Sequence, residues 1–293
     1  MLLFGIMIYR YDLFLYTIRK IDRREQMNKK IYISADIEGT AGACNWKLED
    51  HDNDEYSQQR KILKKEILAC VDEINKIEKD CQIIIKDAHS SGCNYDVTEF
   101  PYNCEIIRGW DDGPLCMMQE LDESYSAVIF LGYHSCAGSE YSPLSHSFSA
   151  FRYEKVLLNG KLMSEFLLNS YIAAMYKIPV IMISGDYGIC EEAKIYNEKI
   201  KTAAIQRGHG ASVISVSEEK AEMLIRKAVQ EAFHEPNKDI ESLPERYVLE
   251  IEYFDHKEAN KRSFYPGCQK IDAKTIRFET TCFYEVLRAL LFL

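Results

Sequence analysis

The sequence has no uninterrupted apolar run near the ~20 residues that span a bilayer, and the apolar opening Met1–Ile8 is soon broken by Arg10 and Asp12. A basic start followed by a small-residue cleavage site, the mark of a secretory signal, is missing. So are internal repeats and low-complexity tracts. Positive charge is scarce: 36 Lys and Arg against 46 Asp and Glu, a formal net charge of −10. Nucleic acids and anionic membrane surfaces reward dense Lys/Arg faces, so neither is an expected partner. The ten cysteines include no CxxC pair. Positions such as Cys44, Cys70, Cys81, Cys136, Cys190 and Cys282 form neither a disulfide framework nor a paired zinc-thiolate spacing. They read as reduced thiols of a cytoplasmic protein, with a single cysteine ligand left open because several alternate with His and Asp.

What is present begins in earnest at Lys30. Residues 1–29, which include Arg19, Lys20, Arg23 and Arg24, are expected to be an extension, disordered or the product of a start upstream of Met27. Beyond them, strand and helix patterns alternate. Residues 31–37 and 179–184 read as buried strands, and 83–85 and 127–131 are continuous apolar runs, as in strands covered on both faces. Ile62, Leu63, Ile67, Cys70, Val71, Ile74 and Ile77 form a helical stripe, and 165–176 and 217–233 also read as helices. The spacing predicts an α/β fold: a mostly parallel sheet with helices on both faces over residues 30–200. A smaller α+β region is expected over 201–293, with a strand at 246–254, another at 275–279 and a closing helix, serving oligomerisation or completing the pocket.

In such sheets ligands bind at the carboxyl ends of the strands. The first strand ends with Asp36 and Glu38, two residues apart and so on one side of extended backbone. The second ends with Asp87 and His89, the third with Gly132, Tyr133 and His134. Downstream, His146 falls in a loop and Glu165 at a helix start. A lone Asp-x-Glu is usually a solvated edge and a lone His usually a satisfied surface or core residue. Three strand ends alike are different, because crowded carboxylates repel unless a cation offsets them. Asp36, Glu38, Glu165, His89 and His134 exceed the four ligands of one tetrahedral zinc. Two divalent ions carry four positive charges, balanced by the three carboxylates and one hydroxide, and paired metals of this kind activate water and polarise a carbonyl or phosphoryl oxygen.

Ser34-x-Asp36-x-Glu38-Gly39 resembles the SxDxEG signature of the bacterial zinc D-aminopeptidases of the DppA type. The likeness continues in order through Asp87-Ala-His89-Ser90, Leu131-Gly132-Tyr133-His134, Ser145-His146-Ser147 and Gly185-Asp186. It implies a dinuclear zinc site in which Asp36 bridges and Glu38, His89, His134 and Glu165 complete the shells. It also implies a catalytic His146, as nucleophile or as general base. The implied reaction removes an N-terminal D-residue, D-Ala especially, from short peptides or amides, and the implied assembly is a decameric homo-oligomer. The chain departs from the pattern where Ser164, rather than glycine, precedes Glu165, in the loop bearing Cys136, Glu140 and Tyr141, and at Asp186-Tyr187-Gly188. A pocket carboxylate is expected to receive the substrate amine, with Asp87, Asp186 and Glu140 as candidates. Two other readings compete: a dinuclear phosphoesterase, for which no Arg-rich or Gly-rich phosphate cradle flanks the motifs, and a non-catalytic metal-binding subunit of an assembly.

Overall fold

The computed structural model describes residues 29–49 and 53–293, so the expected extension lies outside the described residues apart from Lys29. The chain runs β1 (Lys30–Ala35), α1 (Asp54–Ile77), β2 (Gln82–Asp87), β3 (Cys104–Ile107), β4 (Ala127–Tyr133), β5 (Tyr153–Leu158), β6 (Lys161–Leu162), α2 (Glu165–Met175) and β7 (Val180–Asp186). It continues α3 (Tyr187–Tyr196), β8 (Lys201–His209), β9 (Ser212–Ser215), α4 (Glu218–His234), β10 (Tyr247–Tyr253), α5 (His256–Arg262), β11 (Cys268–Lys270), β12 (Thr275–Thr280) and α6 (Phe283–Leu290).

Seven strands form one sheet in the order β3-β2-β1-β4-β7-β8-β9, and five form another in the order β11-β12-β10-β5-β6. In the first, every pairing is parallel except β8 with β9. The second is antiparallel throughout. The α/β class is therefore as the sequence predicts. The two sheets, however, interleave along the chain: β8 and β9, beyond residue 200, extend the first, while β5 and β6, before it, belong to the second. β8, which carries Gln206, Arg207 and His209, offers no continuous apolar run to mark it as a strand of the first sheet.

The period-two pleat of β1 sorts its side chains to two faces. Ile31, Ile33 and Ala35 pack with the α1 stripe (Leu63, Ile67, Cys70, Val71, Ile74) and with Ile225 and Val229 of α4. Tyr32 belongs to the opposite core, with Phe166 and Ile172 of α2, Ile189 of α3 and Leu249 and Ile251 of the second sheet. Each fully buried aliphatic side chain contributes about 1.5–3 kcal/mol, so the faces on either side of the sheet hold its strand ends in place. The chain runs outward from β1 to β2 and β3, then returns to place β4 on the other side of β1. That reversal opens a crevice at the carboxyl ends of β2, β1 and β4.

Candidate metal centre

The crevice is lined by the strand ends the sequence singles out. Beyond β1 the backbone turns tightly under β4: the Gly39 amide donates to the Gly132 carbonyl oxygen at 2.8 Å. A side chain at Gly39 would overlap the Tyr133 carbonyl, and one at Gly132, whose φ is +67°, would overlap the Asp36 carbonyl. These two glycines let the Asp36–Glu38 segment and the approach to His134 lie against each other. Ser34 ties the same strands together, its hydroxyl lying 2.8 Å from the Tyr133 hydroxyl and donating to the Met117 carbonyl oxygen at 3.0 Å.

Asp36, Glu38, His89, His134 and Glu165 converge and are all buried. His89 Nδ1 lies 3.3 Å from Asp36 Oδ1 and 3.1 Å from Glu38 Oε2. His134 Nε2 lies 3.5 Å from Asp36 Oδ2 and 3.4 Å from Glu165 Oε2. Asp36 thus belongs to two donor groups, one with Glu38 and His89 and one with His134 and Glu165, the donor atoms of each within 4.8 Å of one another. A third such group joins Glu38, His134 and His146. Beyond these approaches to His89 and Glu165, Glu38 Oε2 and His134 Nε2 complete no hydrogen bond of good geometry among the described residues, though both are buried. Buried carboxylates and imidazoles gathered this way suit divalent zinc, which takes nitrogen and oxygen donors.

The local scaffolding fixes ring orientation. His134 Nδ1 lies 3.0 Å from the Ser135 carbonyl oxygen and His146 Nδ1 lies 2.9 Å from that of Leu144. Each Nδ1–H donates there, so Nε2 is the nitrogen presented to the crevice. Glu165 opens α2, where the helix end favours its charge, and its Oε1 accepts from the Phe148 amide at 2.7 Å. Ser164, the departure from the family pattern, is the N-cap of α2: its hydroxyl oxygen accepts from the Leu167 amide at 2.9 Å and its O–H donates to Glu192 Oε1 at 2.6 Å.

Burial disfavours every charge here, and the partners decide the outcome. Burial and the adjacent Glu38 push Asp36 well above the usual carboxylate range. For Glu38, burial is outweighed by the His89, His134 and His146 rings, which hold it well below. His89 and His134 are buried too, yet Glu38 and Asp36 raise the first, and Glu165, Glu38 and Asp36 the second, well above the ordinary imidazole value. His146 is lowered by burial and by His134.

The expected amine-binding carboxylates are differently employed. Both Asp87 oxygens accept from Asn94, at 2.6 Å from its backbone amide and 2.6 Å from its side chain. Asp186 accepts from the Ser135 amide and hydroxyl, each at 2.6 Å, and caps α3 through the Ile189 amide at 2.9 Å. Glu140 lines a separate cavity beside Cys136, Tyr141 and Glu192. Asp87 and Asp186 shape the His89 and His134 loops rather than facing a ligand. Nor does a cysteine join any donor group among the described residues. Cys116, which does line the crevice, has its thiol pushed up to about 11 by burial.

Sequence reasoning missed the aromatic surroundings. The metal-side cavity, about 430 Å³, is also lined by Trp110, Phe148 and Phe151. Trp46 meets the His146 ring edge-on at 5.4 Å. Both tryptophans of the chain are therefore at the site, a compositional signal within reach of the sequence. The left-handed backbone at Ser90, Cys116 and Phe148, with φ of 45°, 48° and 63°, carried no such signal.

Comparison with known proteins agrees with this geometry. Residues 29–292 match the D-aminopeptidase family model. A D-aminopeptidase of Bacillus subtilis (strain 168) is 30% identical over 268 residues, covering 89% of this chain and 95% of the relative. The solved structure described as Zn-dependent D-aminopeptidase DppA from Bacillus subtilis, a self-compartmentalizing protease, superposes with a TM-score of 0.82 at 27% identity, over 89% of this chain and 95% of that one. With a family match over nearly all its described length and the strand-end donors in place, this chain belongs to the D-aminopeptidase family.

Proposed function

We propose that the chain is a zinc-dependent D-aminopeptidase that holds two zinc ions, one against Asp36, Glu38 and His89 and the other against Asp36, His134 and Glu165. One observation carries this reading: the two Asp36 oxygens face different histidines, at 3.3 and 3.5 Å, so one carboxylate serves two donor groups. Zinc bound there supplies Lewis acidity to polarise the scissile carbonyl and lower the pKa of water. The remaining work falls to the chain. His146 Nε2 lies 3.7 Å from Glu165 Oε1 and 3.9 Å from Glu38 Oε1, with its lone pair free. It accepts the proton of the attacking water and returns it to the leaving amine. Phe148, half-buried in the lining, reduces the water around the reacting atoms. The substrate is a short peptide or amide with an N-terminal D-residue, D-Ala by family likeness.

The cavity favours a peptide over a phosphoester, since no Lys or Arg among the described residues lines it. Likeness to a self-compartmentalizing protease supports a homo-oligomer, which we take to be a decamer testable by sedimentation. The ten free cysteines suit a reducing compartment, and we place the protein in the cytoplasm. No helix among the described residues is long and apolar enough to cross a membrane.

The experiment measures zinc per chain and D-Ala amide hydrolysis for wild type and Asp36→Ala. About two zinc per wild-type chain, falling below one in the variant with loss of hydrolysis, is expected. Two zinc retained by Asp36→Ala, or zinc-replete wild type leaving D-peptides intact, overturns the proposal.

A further inference from the structure

Resting on the reading that this cavity takes a peptide, we infer that Trp110 selects the substrate side chain and that Lys86 positions Trp110. The cavity has two unlike walls. Carboxylates and imidazoles make one; Trp110, Met117, Phe148 and Phe151 contribute the other. At about 430 Å³ it falls in the range of sites for drug-sized ligands, and the methyl of an alanine leaves most of the apolar wall untouched.

Trp110 brings a large aromatic ring to that wall, and its orientation is fixed from two sides. Its indole N–H donates to the Ser90 carbonyl oxygen at 2.8 Å. The Lys86 ammonium lies 4.0 Å from the ring centroid and also donates to the carbonyl oxygen of Gly109, the preceding residue. Lys86 is fully buried near the end of β2. An ammonium taken out of water is tolerated only where it finds such partners, and here they are Trp110 and its own backbone neighbour. Ser90 follows His89 directly, so the aromatic wall and a proposed metal ligand hang from the same turn. A ring held this way keeps its place in the cavity lining before substrate arrives, which favours bulky apolar or aromatic D-residues next to the scissile bond.

The test compares D-Phe amide with D-Ala amide on zinc-loaded enzyme, with zinc content measured in every variant. Wild type is expected to turn over D-Phe amide with a kcat/KM at least equal to that for D-Ala amide. Trp110→Ala is expected to lose about tenfold more on D-Phe amide than on D-Ala amide, mainly through KM, at unchanged zinc content. Trp110→Leu serves where the alanine variant does not fold, with the same direction expected. Lys86→Met, which removes a buried charge at similar volume, is expected to shift the ratio the same way by a smaller factor, and Lys86→Arg to restore it. Equal losses on both amides in the Trp110 variants overturn the selectivity role, and an unchanged ratio in Lys86→Met overturns the positioning role. Zinc-loaded wild type inactive on both amides overturns the hydrolase reading, and this inference with it.

Discussion

His134 and His146 lie face to face, their ring centroids 4.2 Å apart and their planes 7° from parallel. Two imidazolium rings cannot share that separation cheaply in a buried site. Their pKa values accordingly diverge, His134 raised by Glu165, Glu38 and Asp36 against its burial, and His146 lowered by burial and by His134 itself. The stack therefore keeps His146 neutral while His134 faces the carboxylates.

His146→Ala should leave zinc content intact and lower kcat by about 10²–10⁴, the usual worth of a positioned proton acceptor. Zinc analysis beside steady-state kinetics checks this. A variant with normal kcat removes His146 from the chemistry; a variant that loses its zinc makes it a ligand instead.

Zinc affinity should climb with pH through the neutral range. In the zinc-free chain His89 and His134 are raised well above the ordinary imidazole value, burial notwithstanding, by Glu38 and Asp36 and by Glu165, Glu38 and Asp36 respectively. Each must shed its proton to coordinate, so protons compete with zinc until pH passes the raised values. The sign is fixed: affinity rises as pH rises, by about tenfold per pH unit for each proton displaced. Calorimetry in two buffers of different ionisation enthalpy should register about one proton released per histidine near pH 7. Affinity that stays flat from pH 6 to 8 excludes both rings as ligands.

Asn94 separates two roles for Asp87. Its side chain donates to Asp87 Oδ1 at 2.6 Å and to the His89 carbonyl oxygen at 2.7 Å, bracing the turn that presents His89. Asn94→Ala should weaken zinc binding by about 10–100-fold, the usual cost of losing a brace behind a ligand. A competition assay with a zinc indicator reads it. Unchanged zinc affinity with a raised KM would instead return Asp87 to the role of amine receptor.

The gathering of Asp36, Glu38, His89 and His134 was legible in sequence because period-two spacing and strand ends are local properties. Asp36 with Glu38 needs only an extended backbone, and the convergence of three strand ends follows from parallel alternation. Glu165 and His146 lie on no strand end, and His146 took its role only from family likeness, since their arrival depends on how α2 and the 135–149 loop fold back. The second sheet was half legible: β10 alternates buried and half-buried residues, as the sequence implies. That β5 joins it while β8 joins the first sheet depends on long-range pairing that no local pattern encodes. Trp110 owes its place to Lys86 and Ser90, contacts made across a separation of about twenty residues. The three left-handed residues of the crevice are likewise a tertiary outcome, since Ser, Cys and Phe do not themselves ask for that backbone.

Glu66 offers a test of stability that is independent of zinc. It is fully buried on α1 beneath the turn following Glu38. Its Oε1 accepts from the Ala41 amide at 2.9 Å, and its Oε2 has no hydrogen-bond partner among the described residues. Burial pushes its carboxyl from the usual 4.5 up to about 8. Between those two pH values the folded chain keeps a proton that the unfolded chain has lost. The contribution to stability is full below the unfolded value and disappears as pH rises through the folded one. Glu66→Gln keeps an acceptor for the Ala41 amide but never ionises. On zinc-free protein, urea unfolding should show the variant within error of wild type near pH 5 and more stable near pH 8.5. Wild type loses about 1.4 kcal/mol for each pH unit crossed between the two values, so the gap at the alkaline end should reach a few kcal/mol. Parallel stability curves across that range would mean that water or relaxation of the Ala41 turn solvates the Glu66 charge.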